Sequence, residues 1–281
     1  MAVTGDAALQ ATKAEIVAAL VQKELISQSV LAPTVMDVSR FAVKGAETVS
    51  FPKAGSFTVE NRASGVQATV QNLTFAKDTM ALSFRATVSW LIDSHDELES
   101  VIDVNAEYAV RAARAHAVYL DQQIIAELET VGDATTTAGD ITDAVILEMR
   151  AKILKQKADR RLLRLAISPD QEAKMLAINK FVTADNYGTS IVPSGALGTI
   201  YGIPVFITPE LGTTQYFLYE QEGIALAFQR GPILDERKAP EYGAGSMLKT
   251  LDQKFGVKGM LLGQQGVGAT ESPLVVKDNN A

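Results

Sequence analysis

The residues able to do acid–base or metal chemistry are few and poorly placed for it. There are two histidines, His95 and His116, and no cysteine. Both histidines fall in one helical stretch, 21 residues apart, too far along a rod to share a metal ion. His95 reads as a solvated residue beside a helix start. Asp93, Asp96, Glu97, Glu99 and Asp103 supply enough carboxylates for a cation, but their place at a helix beginning has a simpler cause. The positive end of the helix dipole favours carboxylates there. Without thiols, disulfide staples, thiolate nucleophiles and thiolate metal sites are excluded.

Glycine and nucleophile motifs are equally unhelpful to catalysis. No G-x-x-x-x-G-K-[ST] occurs, and Gly256, Gly259, Gly263, Gly266 and Gly268 never form G-x-G-x-x-G between a strand and a helix. G-x-S-x-G and H-E-x-x-H are also absent. The basic segment from Lys152 to Arg164 is interleaved with Ile153, Leu154, Leu162 and Leu163 rather than with the aromatics that stack on bases, so it reads as a solvated helix face joined to a buried strand. Lys53 and Lys77 near a hairpin could form covalent links, though two lysines on an exposed hairpin are ordinary. The expectation is no enzyme, no cofactor and no metal.

The elements that position these residues carry more information. Val49 and Phe51 alternate with polar neighbours from Glu47 to Pro52, and Met80, Leu82, Phe84, Ala86, Val88, Trp90 and Ile92 share one face of a return strand whose other face holds Ser83, Arg85, Thr87 and Ser89. Between them lies a tip punctuated by Gly55, Ser64 and Gly65. A long hairpin of this kind buries little on its own and is expected to need a surface from elsewhere. At Ser94 the period turns helical: Leu98, Ile102, Ala106, Ala109, Ala113, Ala117, Leu120, Ile124 and Leu128 form one stripe. Ser94 and Glu97 make a capping box and Gly132 marks the end, giving a rod ~55 Å long at 1.5 Å per residue. A rod of that length suits a subunit that contacts neighbours.

Upstream, Thr12 and Glu15 cap a helix expected over 14–29, stopped by Pro33, and an extended arm follows to Gly45. Downstream, Asp133 to Gly139 reads as the domain boundary. Asp140 and Asp143 are expected to cap a helix with the stripe Ala144, Leu147, Ala151, Leu154 and Ala158. A buried strand over 162–167, a helix opened by Ser168 and Pro169 and a polar loop over 182–197 come next. Strands are expected over 203–208, 216–219, 224–228 and 247–262, then a loose tail. The chain of 281 residues is 47% hydrophobic, ample for a core, and its net charge of −7 argues against broad binding to nucleic-acid backbone. No basic leader and no run of about 18 apolar residues is present, so no membrane is expected.

The segment from Arg160 to Leu211 carries a resemblance. "RLLRLAISPDQEAKMLAI", then "GALGTIYGIPVFITPEL" and "TQYFLYEQEGIALAF" resemble the axial domain of tailed-bacteriophage major capsid (coat) proteins of the Hong Kong 97 type. Ser168 and Pro169, and the turn Gly202, Pro204, Val205, are the matching positions. The order of elements fits the same family. The resemblance implies an α+β fold of that type: an N-terminal arm with a helix over 1–45, an extended loop (β-hairpin) over 46–92, a peripheral domain with a spine helix over 93–139 and 226–265, an axial domain over 140–225 and a loose C-terminal tail over 266–281.

It also implies a structural subunit that self-assembles into hexamers and pentamers, forming an icosahedral head shell around phage double-stranded DNA held without sequence-specific binding. The implied location is the virion, with assembly in the host bacterial cytoplasm. Partners would be copies of itself, a portal and a separate scaffolding protein, since the sequence opens near the arm. Subunit contacts are expected at Phe57, Glu60, Arg62, Asn72 and Lys77 on the hairpin, and at Asn186 and Tyr187 in the axial loop. An encapsulin-like bacterial nanocompartment shell and an α/β enzyme using the cleft between Asn186 and Gly195 are the alternatives.

Overall fold

The computed structural model describes residues 29–54, 57, 59–72, 75–93, 104–135, 137, 139–178, 198–243, 245–260 and 274–278. The expected N-terminal helix, the first part of the long helix with His95, and the loop carrying Asn186 and Tyr187 lie outside these. Three sheets and three helices of eight residues or more organise the described chain. In order they are β1 (Met36–Asp37), β2 (Thr48–Ala54), β3 (Phe75–Ala81), β4 (Phe84–Ile92), α1 (Val104–Val131), β5 (Asp133–Ala134), α2 (Asp143–Lys155), β6 (Leu163–Ile167), α3 (Pro169–Leu176), β7 (Thr199–Ile200), β8 (Ile203–Ile207), β9 (Tyr216–Glu220), β10 (Ile224–Lys238), β11 (Met247–Gly259) and β12 (Val275–Lys277). Among the described residues no helix is long and apolar enough to cross a membrane.

α1 holds the centre. Its 28 residues span ~42 Å at 1.5 Å per residue. Ala109, Ala113, Ala117, Leu120, Ile124 and Leu128 are buried as their spacing predicts, while Ala106 at the first turns is exposed. Small residues in the first half let β11 approach, where Ala109, Ala112 and Ala113 pack on Leu251. Gly132 ends the helix for reasons of space: a Cβ there would lie 2.7 Å from the Leu128 carbonyl oxygen and 3.0 Å from Cβ of Lys277.

On one side of α1 stands a six-stranded sheet ordered β5-β12-β9-β6-β8-β7, covered on both faces. Every residue of β9 is therefore buried. Phe217 and Tyr219 pack toward α1 with Ala166 and Val275, and Tyr216 and Leu218 pack toward α2 with Leu163, Leu165 and Val276. The continuous apolar run is the signature of a strand buried on two faces rather than one. β6 and β8 are parallel and joined through α3, whose N-cap Ser168 accepts from the Gln171 amide at 3.3 Å. β7 and β8 turn at Tyr201 and Gly202, with φ of 51° and 78°. Two successive positive φ values make the twist-matched hairpin turn, and Gly202 meets the second at no steric cost.

Several sequence expectations change here. α2 is capped by Thr142, whose hydroxyl accepts from the Val145 amide, not by Asp140 or Asp143. Its buried stripe is Val145, Ile146, Met149 and Ile153; Ala144, Leu147 and Ala151 are exposed. Both stripes have helical spacing, and the bulkier one removes more apolar area from water. The tail is not loose throughout: Val275 and Val276 are fully buried in β12, between β5 and β9. Residues 133–134 of the expected linker form β5 in the same sheet. The latter part of the arm is packed down too, with Leu31, Val35 and Val38 in the core and β1 beside β10.

On the other side of α1 is a four-stranded sheet, β1-β10-β11-β4. β10 is three times the expected length because Gly231 and Pro232, which read as a strand end, sit where the register slips between Phe228, Arg230 and Ile233. A bulge is where a proline can stay inside a strand. The expected single return strand is two strands in two sheets, since Leu82 and Ser83 break β3 from β4. The alternation of faces survives the break.

Candidate subunit-contact surface

The hairpin has an anchored base and an uncovered tip. β2 and β3 pair through seven residues, from Thr48 with Ala81 to Ala54 with Phe75. The Leu82 amide donates to the Glu47 carbonyl at 2.9 Å and closes the base. Val49 and Met80 are buried among Val38, Ala225, Ala227 and Met260, so this end finds the apolar surface that the sequence placed elsewhere. The close fit depends on Gly256, where a Cβ would overlap the Ala81 carbonyl oxygen. Polar ties add direction. Lys258 bridges the Asp78 carboxylate and donates to the Thr79 carbonyl at 2.6 Å, and the Gln229 amide donates to the carbonyls of Val43 and Ala46.

Beyond Ala54 and before Phe75 the described chain has no ladder. Phe57 is 64%, Val59 95%, Val66 56% and Val70 83% exposed. Glu60, Arg62 and Asn72 are exposed in the same tip, and Lys77 is exposed on β3 opposite Pro52. Five of the seven expected contact residues thus share one projecting ribbon, and Asn186 and Tyr187 lie outside the described residues. Sequence reasoning missed Val59, Val66 and Val70; three valines in a stretch otherwise poor in large apolar residues were the available signal. Glu60 and Arg62 cancel, so the tip carries no net charge on a chain of net charge −7.

The second anchor sits under the arm. Asp121 of α1, 3% exposed, accepts from the Ser29 hydroxyl at 2.5 Å, the Val30 amide at 2.9 Å and the Leu31 amide at 3.2 Å. Burial pushes its carboxyl above the usual range, and the three donors hold it down in part. Beside it Thr34 and Tyr219 share a hydrogen bond of 2.5 Å, and burial raises the Tyr219 phenol.

The chemistry needed for turnover is sparse. His116 is 2% exposed, faces Gln253 at 3.2 Å, and its pKa is lowered chiefly by burial. That is a neutral core histidine. Among the described residues no three of His, Cys, Asp and Glu gather where a metal could sit. A groove of about 580 Å³ between the arm and β10 is lined by Ala32, Pro33, Val35, Leu226, Phe228 and Pro232, and His116 is not in its wall.

With this geometry in place, likeness to known proteins is informative. The family described as phage capsid protein matches residues 84–261, from β4 through β11. No curated protein matches the chain. Among solved structures, one titled Mycobacterium phage Che8 superposes with a TM-score of 0.74 at 19% identity, covering 90% of this chain and 91% of that one. The capsid of cyanophage P-SCSP1u gives 0.67 at 12% identity over 88% and 86%. The mature capsid of bacteriophage PhiM1 gives 0.65 at 13% over 90% and 88%. The fold is thus the α+β Hong Kong 97-type capsid fold, and the match over most of the sequence settles the lineage: this chain belongs to the phage capsid protein family, as a structural subunit of the head shell.

Proposed function

We propose that this chain is the major subunit of an icosahedral head, assembling with copies of itself into hexamers and pentamers around double-stranded DNA. The observation that carries this reading is the hairpin: a base locked into the core and a tip whose Phe57, Val59, Val66 and Val70 are exposed. Each tip would lie across an adjacent subunit, through Phe57, Glu60, Arg62, Asn72 and Lys77. Asn186 and Tyr187 would meet their equivalents around a capsomer axis. A closed shell repeats each modest contact many times, which is how weak patches sum to a stable particle.

In this reading the two sheets divide the subunit. α1, β10 and β11 would form the peripheral domain, over 93–139 and 226–265, their sheet completed by β4 from the extended loop and β1 from the arm. Strands β6 to β9 would form the axial domain, over 140–225, their sheet extended by β5 and by β12. The acidic balance supports enclosing DNA without adhering to it. A scaffolding protein and a portal would complete the head, assembled in the cytoplasm of a bacterial host. The role is assembly rather than turnover. Electron microscopy of particles purified from infected cells, with nuclease treatment before and after opening them, tests it: shells that protect double-stranded DNA until opened are expected, and particles holding only protein cargo would overturn the DNA role.

A further inference from the structure

The basic segment from Lys152 to Arg164 divides in two. Lys152 is committed to the fold: its ammonium pairs with Asp133 at 3.2 Å and donates to the Ala134 carbonyl, tying α2 to β5. From Lys155 to Arg164, across the end of α2 and the turn into β6, five cations stand with the single carboxylate of Asp159, on a chain of net charge −7. Lys155, Lys157, Arg160 and Arg161 are exposed. Arg161 pairs with Asp159 at 3.2 Å, whereas Lys155, Lys157 and Arg160 have no ion pair among the described residues. Two other carboxylates are near, Glu220, which is buried, and Glu222.

The turn is held in one shape. The Asp159 amide donates to the Glu220 carboxylate at 3.0 Å, the Leu162 amide to the Asp159 carbonyl at 3.0 Å and the Gln221 amide to the Leu162 carbonyl at 3.0 Å. The Arg164 guanidinium donates to the Leu163 carbonyl at 2.9 Å and to the Gln221 side-chain oxygen at 3.2 Å. Cations carried on a fixed backbone give up less freedom when they bind.

Lys157 stands against the preference of its own backbone. Its φ is 66°, and its amide donates to the Leu154 carbonyl at 3.1 Å, closing α2 in the left-handed conformation that glycine usually supplies. A lysine in that place is strained, and what it adds in return is a charge. The negative end of the helix dipole accounts for Lys152 and Lys155 in the last turn. It does not account for Arg160 and Arg161, which follow the turn.

No aromatic side chain lies between Lys152 and Arg164, so the patch suits phosphate rather than bases. We infer that the turn from Lys155 to Arg164 is a phosphate-binding surface, through which the subunit touches the backbone of the double-stranded DNA it encloses without reading its sequence. The contact is local. The acidic remainder of the chain repels the duplex and keeps binding weak and dependent on salt. This rests on the reading that the shell holds DNA, and it names the surface that meets it.

Binding of a short mixed-sequence duplex to the purified protein, followed by fluorescence anisotropy over a salt series, tests the surface. Arg160→Gln/Arg161→Gln is compared with a matched pair on the exposed end of β10, Arg237→Gln/Lys238→Gln. The turn variant is expected to lose roughly tenfold in affinity at low salt and about two from the salt slope, with the control within about twofold of the intact protein. Equal losses would overturn the inference. Lys157→Gly removes a charge and relieves the backbone together, so a higher unfolding midpoint with weaker binding is expected; unchanged binding would contradict the lysine's role. In DNA-filled particles, Lys155 and Lys157 should be shielded from an amine reagent too large to enter, and should react once the shells are opened and the DNA digested. Labelling of both lysines in sealed particles would put the turn outside and overturn the inference while leaving the capsid reading intact. Shielding that survives digestion, with carbodiimide coupling of these lysines to another polypeptide, would overturn it in favour of an acidic protein occupant. Particles without DNA would remove the reading beneath it as well.

Discussion

β9 and the hairpin tip are opposite solutions to the same problem. In β9, all five residues are buried, because α1 covers one face of its sheet and α2 the other. In the tip, residues 59–70 are all exposed, valines included, though the ladder a few residues away is firmly rooted. The first region completes its burial within one chain. The second leaves it open among the described residues; in the proposed assembly the fold and the shell draw on different residues, and stability of the subunit and capacity to assemble should be separable by mutation.

The comparison is most sharply tested in the core. Phe217→Ala leaves a cavity between the six-stranded sheet and α1, and should cost about 3–5 kcal/mol in denaturant unfolding. A loss under 1 kcal/mol would mean that the sheet is not self-sufficient. A smaller effect belongs to the arm's anchor. Asp121→Ala strips the acceptor from the Ser29 hydroxyl and from the Val30 and Leu31 amides, for about 1–3 kcal/mol. Hydrogen exchange at those two amides should accelerate more than exchange in β9.

His116 gives a pH-dependent term of known sign. Burial lowers its folded pKa below 6.5, opposed in part by the Gln253 hydrogen bond and the charge of Asp252. Between the two values the unfolded chain holds more protons, so stability rises with pH there. The contribution is complete above pH 6.5, declines as pH falls below it, and is lost once pH has passed the folded value. His116→Gln should flatten that part of the stability curve; an unchanged slope would show that another group titrates. The smallest effect on folding is expected at the tip, where Val70→Ser should alter subunit stability by under ~0.5 kcal/mol. Its effect should appear in particle yield instead.

Much of this division was legible in the residues. Alternation from Met80 to Ile92 placed each side chain on its proper face, and the stripe from Ala109 to Leu128 identified the buried side of α1. Ser168 with Pro169, and the turn at Gly202, were readable because capping and positive φ are local constraints. What periodicity could not give was competition. α2 carries two helical stripes, and only packing against β12 and β9 decides that Val145 and Met149 outrank Ala144 and Leu147. β10 passed through Gly231 and Pro232 by slipping register, and Val275–Lys277 became a strand because a sheet edge far away in sequence received it. The hairpin's base was read as lacking a surface because Val49 and Met80 meet Ala225 and Ala227, well over a hundred residues downstream. At the candidate contact surface, composition pointed to the tip but not to its valines.

The separation of folding from assembly is tested most directly by deleting Gly55–Asn72 and measuring two things on the same preparation, denaturant unfolding and particle formation under the electron microscope. The account predicts a subunit that unfolds cooperatively at nearly the intact protein's midpoint and forms few or no shells. Outright unfolding of the deleted chain, or shells formed as readily as by the intact one, would contradict it.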